Sequence, residues 1–190
     1  MTETERIAST WILKTPRLDL TPAGLTDAAA VQGFFERNRE FHAPWDPVRG
    51  DAFYTLEAVT AMLAKQMEQG IQRSAYYWYL HPLGEPLVTG FVGLTNIVYG
   101  PFLSAFLGYK LDGGYTSCGY MTEALHAVVG FAFNHCALHR VEANVMPRNL
   151  ASVRVLEKLG FKNEGYSEAY LRIAGKWEGH FHYALLNPEV

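Results

Sequence analysis

The chain is expected to fold as an α/β (α+β) domain, a mixed sheet of about 6–7 strands flanked by about 4 helices. Three observations predict this. Element types alternate along the chain: strand, two helices, three strands, helix, strand, helix, two strands. A long stretch with apolar residues at helical spacing lies between runs that alternate with period two. At 190 residues, 49% hydrophobic and 18% charged, the chain can bury one sizeable core and is not disordered.

Residues 1–10 (MTETERIAST) are polar, carry two early glutamates and read as a flexible arm rather than a signal peptide. Residues 11–190 read as one domain. In TPRLDLTP (15–22), Leu18 and Leu20 alternate with polar neighbours between Pro16 and Pro22, which suits a first strand. LTDAAAVQGFFERNREF follows as a helix with cap candidates Thr26 and Asp27. APWDPVRGD (43–51) is a loop, and a second helix spans Leu56 to Glu68, ending at Gly70. YYWYL (76–80) and LVTGFVGLTNIV (87–98) read as a hairpin.

SAFLGYKL (104–111) is the next strand, with Ala105, Leu107, Tyr109 and Leu111 on one face and Gly108 marking a bulge or a close approach. Met121, Ala124, Leu125, Val128, Val129, Ala132 and Phe133 then form one buried helix face. RVEANVM (140–146) reads as a strand. RNLASVRVLEKLGF (148–161) reads as a helix with Asn149 at its N-cap, Gly160 at C′ and Phe161 folded back on Leu156. EAYLRIAGKWEGHFHYALL (168–186) is a hairpin turning near Gly175.

Bulk properties exclude more than they select. A net charge of −3 offers no electrostatic footprint for nucleic acid. No apolar run is long enough to span a membrane. Two cysteines without CxxC spacing suit a reduced, cytoplasmic protein.

The chemistry concentrates in LDGGYTSCGYMTEAL (111–125). A strand ends, a glycine-containing turn follows and a helix starts near Gly119. The first turn of a helix presents free N–H groups and a positive dipole end, which bind phosphate without a basic side chain. Thr116 and Ser117 can add hydroxyls, and Gly119 permits close approach. Alone, such a turn is also an ordinary connection.

Taken with NLASVRVLEKLGF (149–161), the stretch GYKLDGGYTSCGYMTEAL resembles the GNAT superfamily of acetyltransferases. TPRLDLTP resembles the first strand of the branch that acetylates protein N-termini, and APWDPVR, FVGLTNIVYGPF, HRVEANVMPRN and LRIAGKWEGH resemble, more narrowly, the ribosomal-protein-alanine N-acetyltransferases; the likeness runs over about residues 14–187. The resemblance implies a twisted sheet splayed where acetyl-CoA enters. It implies that Thr116, Ser117, Cys118, Gly119, Tyr120 and Met121 hold the cofactor's diphosphate. Tyr109, Lys110 and Leu111 would pair through their backbone with its pantetheine arm, and Asn149 and Ser152 would lie beside its thiol end. The acceptor would be a protein N-terminal amine, on a ribosomal protein starting with Ala or Ser, reached by direct transfer in a ternary complex. The turn departs from the family pattern of Gln or Arg, two residues, Gly, one residue, then Gly or Ala, because only Gly119 matches cleanly. Where some relatives carry a tyrosine acid this chain has Leu156, which leaves Ser152 or water to protonate the thiolate.

Glu142 is the candidate general base; its alternative is an ion pair with Arg140. Glu123 suits dipole stabilisation. Cys118 reads as a bystander thiol, and His180 and His182 as ordinary strand residues, so no metal is expected. Tyr76 to Tyr79 suit core packing or a substrate slot, and Trp45 suits burial or cover for the acceptor mouth. Two other functions fit the same residues: a small-amine acetyltransferase (polyamine, amino acid or antibiotic), and a non-catalytic acyl-CoA-binding or interaction protein with a degenerate turn. Both a monomer and a homodimer are compatible with the sequence.

Overall fold

The computed structural model describes residues 2–189; the first residue of the expected arm and the last of the expected domain lie outside them. Among the described residues there are six α-helices and eight strands. The segments are α1 (Glu3–Ser9), β1 (Leu13–Lys14), β2 (Leu18–Pro22), α2 (Ala28–Arg37), α3 (Arg39–His42), α4 (Leu56–Ile71), β3 (Tyr76–Pro82), β4 (Gly90–Val98) and β5 (Ser104–Leu111). They continue with α5 (Tyr120–Asn134), β6 (Arg140–Val145), α6 (Leu150–Lys158), β7 (Lys162–Ile173) and β8 (Lys176–Leu186). One mixed sheet runs in the order β1-β2-β3-β4-β5-β6-β8-β7. All pairs are antiparallel except β5 with β6.

The expected α/β class therefore stands, with more elements than expected. Residues 3–9 are helical where a loose arm is expected. Thr2 Oγ1 accepts from Glu5 N–H at 3.2 Å, Thr2 N–H donates to Glu5 Oε2 at 2.6 Å, and Ala8 is fully buried. That reciprocal cap was visible in the sequence as T-x-x-E. The helix of residues 28–42 breaks at Asn38, whose buried amide donates to the Phe34 carbonyl at 2.9 Å and competes with the helical ladder. Gly70 does not end α4. It lies inside the helix, where an added Cβ would meet the Trp11 ring at 2.7 Å. Gly70→Val is therefore expected to destabilise the protein by about 1–3 kcal/mol through overpacking, read as a lower denaturant midpoint.

Gly108 carries no bulge; the irregularity falls between Thr95 and Val98 on the partner strand, where Asn96 has φ 50°. The final hairpin turns through Ala174 and Gly175, both at positive φ, as a two-residue turn requires. Its first strand begins at Lys162, earlier than expected, and absorbs the extra residues in register shifts near Gly165 and Ser167.

The sheet is covered on both faces. Tyr76, Trp78, Leu94, Leu107 and Val141 pack with α5 on one side. Tyr79 packs with Phe34, Phe35, Val59 and Leu63 of α2 and α4 on the other. Adjacent side chains of YYWY thus alternate between two cores. The expected face of α5 is buried, apart from half-buried Phe133. At the end of α6, Phe161 N–H bonds the Leu156 carbonyl and Gly160 N–H the Glu157 carbonyl, both at 3.0 Å, with Gly160 at φ 84°. That is the expected Schellman ending.

Sheet pairing itself creates the site. β5 pairs with β6 only at Ser104, Ala105 and Phe106, opposite Arg140, Val141 and Glu142. Beyond Phe106 the two strands diverge.

Candidate active site

The divergence leaves Leu107–Leu111 bonded to β4 on one edge only. Asp112 N–H reaches the Thr89 carbonyl at 2.8 Å, on the β4 side. Antiparallel alternation then turns the N–H and C=O groups of Tyr109 and Leu111 toward the open edge. His42 takes one of these acceptors, its Nε2 lying 2.9 Å from the Leu111 carbonyl. Burial pushes the His42 pKa down, which keeps the ring neutral beside that contact.

The turn after β5 is held from behind. Asp112 receives Arg37 Nε at 2.7 Å and Asn38 Nδ2 at 3.0 Å, and Gly113 N–H donates to Asn38 Oδ1 at 3.0 Å. Burial works to raise the Asp112 pKa, but the bonds from Asn38, Gly114 and Arg37 outweigh it and hold the carboxyl below the usual range. These anchors lie some 75 residues away in sequence, and no local motif announces them.

Ser117 (φ 62°) and Gly119 (φ 82°) then bring the chain to α5. Among the described residues no side chain caps this helix, and its first backbone bond runs from Glu123 N–H to the Gly119 carbonyl. The N–H groups of Tyr120, Met121 and Thr122 are therefore presented outward. An uncapped helix end beside an open strand edge fits a ligand with a diphosphate and amide groups.

The turn's side chains contribute unevenly. Thr116 does not offer its hydroxyl, which donates to the Gly113 carbonyl at 3.1 Å. Met121 points into the core, and Tyr120 stacks on Tyr115. Cys118 is exposed, whereas burial pushes the Cys136 thiol up to about 12. A thiol reagent is therefore expected to titrate one cysteine in the native protein and two in denaturant; two fast-reacting native thiols would contradict this.

Across the cleft, the Asn149 side chain caps α6 by accepting from Ser152 N–H at 3.2 Å. Ser152 Oγ lies 2.6 Å from the Tyr109 hydroxyl, which bridges β5 and α6. Burial pushes the Tyr109 phenol up to about 12. The resemblance gives Tyr109 only a backbone role; its side chain adds this bridge.

Glu142 stands at the last β5–β6 pair. Its Oε1 receives Arg140 Nε at 2.8 Å and Ser104 Oγ at 3.4 Å, so the ion-pair reading of this residue is realised. Arg140 also bonds Glu164. Among the described residues, no hydrogen bond is made to Glu142 Oε2.

Phe106, Gly108, Lys110, Glu142, Asn144 and His182 share the other face of the splayed strands, by register. His182 bonds Asn144 Oδ1 at 2.7 Å and Ser167 Oγ at 2.9 Å, and His180 Nδ1 lies 3.0 Å from the Glu178 carbonyl. Both rings have protein partners, and among the described residues no cluster of His, Cys, Asp and Glu is arranged to hold a metal.

The 43–51 loop is strapped to this face. Lys110 pairs with Asp46, Ala174 N–H donates to the Asp46 carbonyl at 2.8 Å, and Arg148 donates to the Pro44 carbonyl at 3.1 Å while covering the Trp45 ring. Lys110 thus has its side chain on the loop side, and by the same alternation its backbone N–H and C=O face Phe91 of β4, so it does not pair with the pantetheine as the resemblance implied. A separate groove of about 430 Å³ beside Trp11, Arg73, Tyr76 and His135 lies at the far end of α5. Among the described residues no helix is long and apolar enough to cross a membrane.

Comparison with known proteins bears on this arrangement. Residues 17–162 match the family described as the acetyltransferase (GNAT) domain. The chain is 38% identical over 178 residues to the probable N-acetyltransferase YjcK of Bacillus subtilis, covering 94% of this chain and 98% of that protein. It is 34% identical over 177 residues to the ribosomal protein uS5-alanine N-acetyltransferase of Escherichia coli, covering 93% and 91%. The crystal structure of the ribosomal-protein-S5-alanine acetyltransferase from Vibrio fischeri is similar with a TM-score of 0.88 at 32% identity, covering 94% and 97%.

Proposed function

Because the chain belongs to the GNAT acetyltransferase family, we propose that it acetylates the α-amino group of a protein, a ribosomal protein beginning with Ala or Ser, by direct transfer from acetyl-CoA. The observation that carries this reading is the β5–β6 splay. It has an uncapped helix end and an open strand edge on the cofactor side, and a strapped polar face on the other. Likeness over nearly the whole chain to enzymes named for ribosomal-protein alanine supports the acceptor class.

When bound, acetyl-CoA supplies an activated acetyl thioester. The backbone of Thr116–Met121 binds the diphosphate, and the open-edge groups of Tyr109 and Leu111 hold the pantetheine and donate to the carbonyl oxygen. Lys110 holds Asp46 and thereby the loop that borders the acceptor. Arg140 fixes Glu142 through Oε1, and Oε2 takes the proton of the attacking ammonium, directly or through water. Ser152, backed by Tyr109, gives a proton to the sulfur, and Asn149 orients Ser152. Proximity of the two reactants supplies much of the acceleration.

The test is an acceptor panel: peptides beginning with Ala or Ser, the same peptides blocked at the α-amine, a polyamine, free amino acids and an aminoglycoside. The expected result is the highest kcat/KM for the free-ended peptides. A preference for a small amine would contradict the acceptor class. Transfer to none by a folded protein would contradict catalysis itself.

A further inference from the structure

Between Asp112 and Met121 the chain has no Lys or Arg, so the turn brings no cation of its own to a diphosphate. A guanidinium reaches it from elsewhere. Arg17, on the segment entering β2, donates from Nη1 to the Cys118 carbonyl at 2.9 Å, and its charge lies 4.8 Å from the centre of the Tyr120 ring. Nη2 would lie 3.4 Å from a Cβ added to Gly119, so the group borders the space in front of the helix end.

Glu123, in the first turn of α5, holds Arg17 in place. Arg17 Nε reaches Glu123 Oε2 at 2.7 Å and Nη2 reaches it at 2.6 Å. The Arg17 backbone N–H and the Thr15 hydroxyl both donate to Oε1, at 2.9 and 2.6 Å. Partial burial works to raise the Glu123 pKa, but these bonds hold it below the usual range, so the carboxylate stays charged at neutral pH. Among the described residues, these bonds leave the second hydrogen on each of Nη1 and Nη2 without a protein acceptor. The Arg17 side chain is half exposed, which leaves room for one.

We propose that Arg17, clamped by Glu123, takes the place of the polar or basic side chain missing from the turn: it fixes the Cys118 carbonyl and lends its remaining N–H groups to the diphosphate of CoA. This rests on the acetyl-CoA reading above. It assigns Arg17 a positioning and binding part that the local sequence of the turn does not contain. It also gives Glu123 a task beyond the helix dipole.

A lysine cannot do the same, because one ammonium does not span Glu123 and the Cys118 carbonyl in a planar fork.

The experiment is calorimetric titration of wild type, Arg17→Ala and Arg17→Lys with CoA and with pantetheine, which lacks the diphosphate. Thermal melts monitor folding. Arg17→Ala is expected to weaken CoA binding by roughly 10–100-fold, with Arg17→Lys weakened in the same direction. The preference for CoA over pantetheine is expected to fall by the same factor. If both ligands weaken equally, Arg17 merely ties β2 to α5, and the proposal is overturned. Unchanged CoA affinity in folded Arg17→Ala overturns it while leaving the acetyl-CoA reading intact. Absence of CoA binding by the wild type overturns both.

Discussion

Gly119→Val is expected to lower acetyl-CoA affinity at least ~100-fold while the protein still folds. Gly119 sits at φ 82°, a region that a β-branched residue enters only with strain. That strain costs about 1–2 kcal/mol and pulls the turn away from its shape. The new side chain would also stand where Arg17 Nη2 approaches and where a phosphate must meet the N–H groups of Tyr120, Met121 and Thr122. Two injuries thus fall on one ligand group. Calorimetry with CoA, alongside circular dichroism, separates binding loss from unfolding. Wild-type affinity in a folded Gly119→Val protein would mean that the diphosphate lies elsewhere.

The second large effect concerns the proton that must reach sulfur when the thioester breaks. Ser152→Ala and Tyr109→Phe are each expected to lower kcat by about 100-fold or more, with a much smaller change in KM for acetyl-CoA. The reason is the contact between the two hydroxyls, at 2.6 Å, in a half-buried place where Tyr109 keeps its proton at neutral pH. Because the pair acts as one unit, the double variant should be barely slower than either single variant. Additive losses would indicate two independent packing roles instead.

Much of the fold was legible where one period dominated. The face of α5 could be read from Met121 to Phe133 because a long helix repeats its signal several times. Asn149 and Gly160 marked the ends of α6 through capping chemistry that is local by nature. β1, at two residues, is too short to show a period. The start of β7 is hidden in the sequence because its bulged stretch from Lys162 to Ser167 breaks the alternation.

The site divides the same way. The turn and the cap are contiguous, so the sequence could point to them. The residues that hold the turn, Arg17, Arg37, Asn38 and His42, come from two distant segments, and only the fold brings them to it. Lys110 shows the limit from the other direction. It lies on the strand that meets the cofactor, yet alternation turns its backbone N–H and C=O toward Phe91 of β4 and its side chain to Asp46 on the opposite face. Glu142 suits both a base and a partner of Arg140 by sequence. The ion pair engages one carboxylate oxygen and leaves the other for the proposed proton transfer.

The diphosphate site is built without the family's usual turn. Titrating the wild-type protein with acetyl-CoA in a calorimeter, with desulfo-CoA as control, tests it most directly. Saturable one-site binding of both is the predicted result, because the helix end, Gly119 and Arg17 act on the diphosphate and not on the sulfur. No heat from a folded protein would contradict it and would leave the fold serving some use other than acetyl transfer.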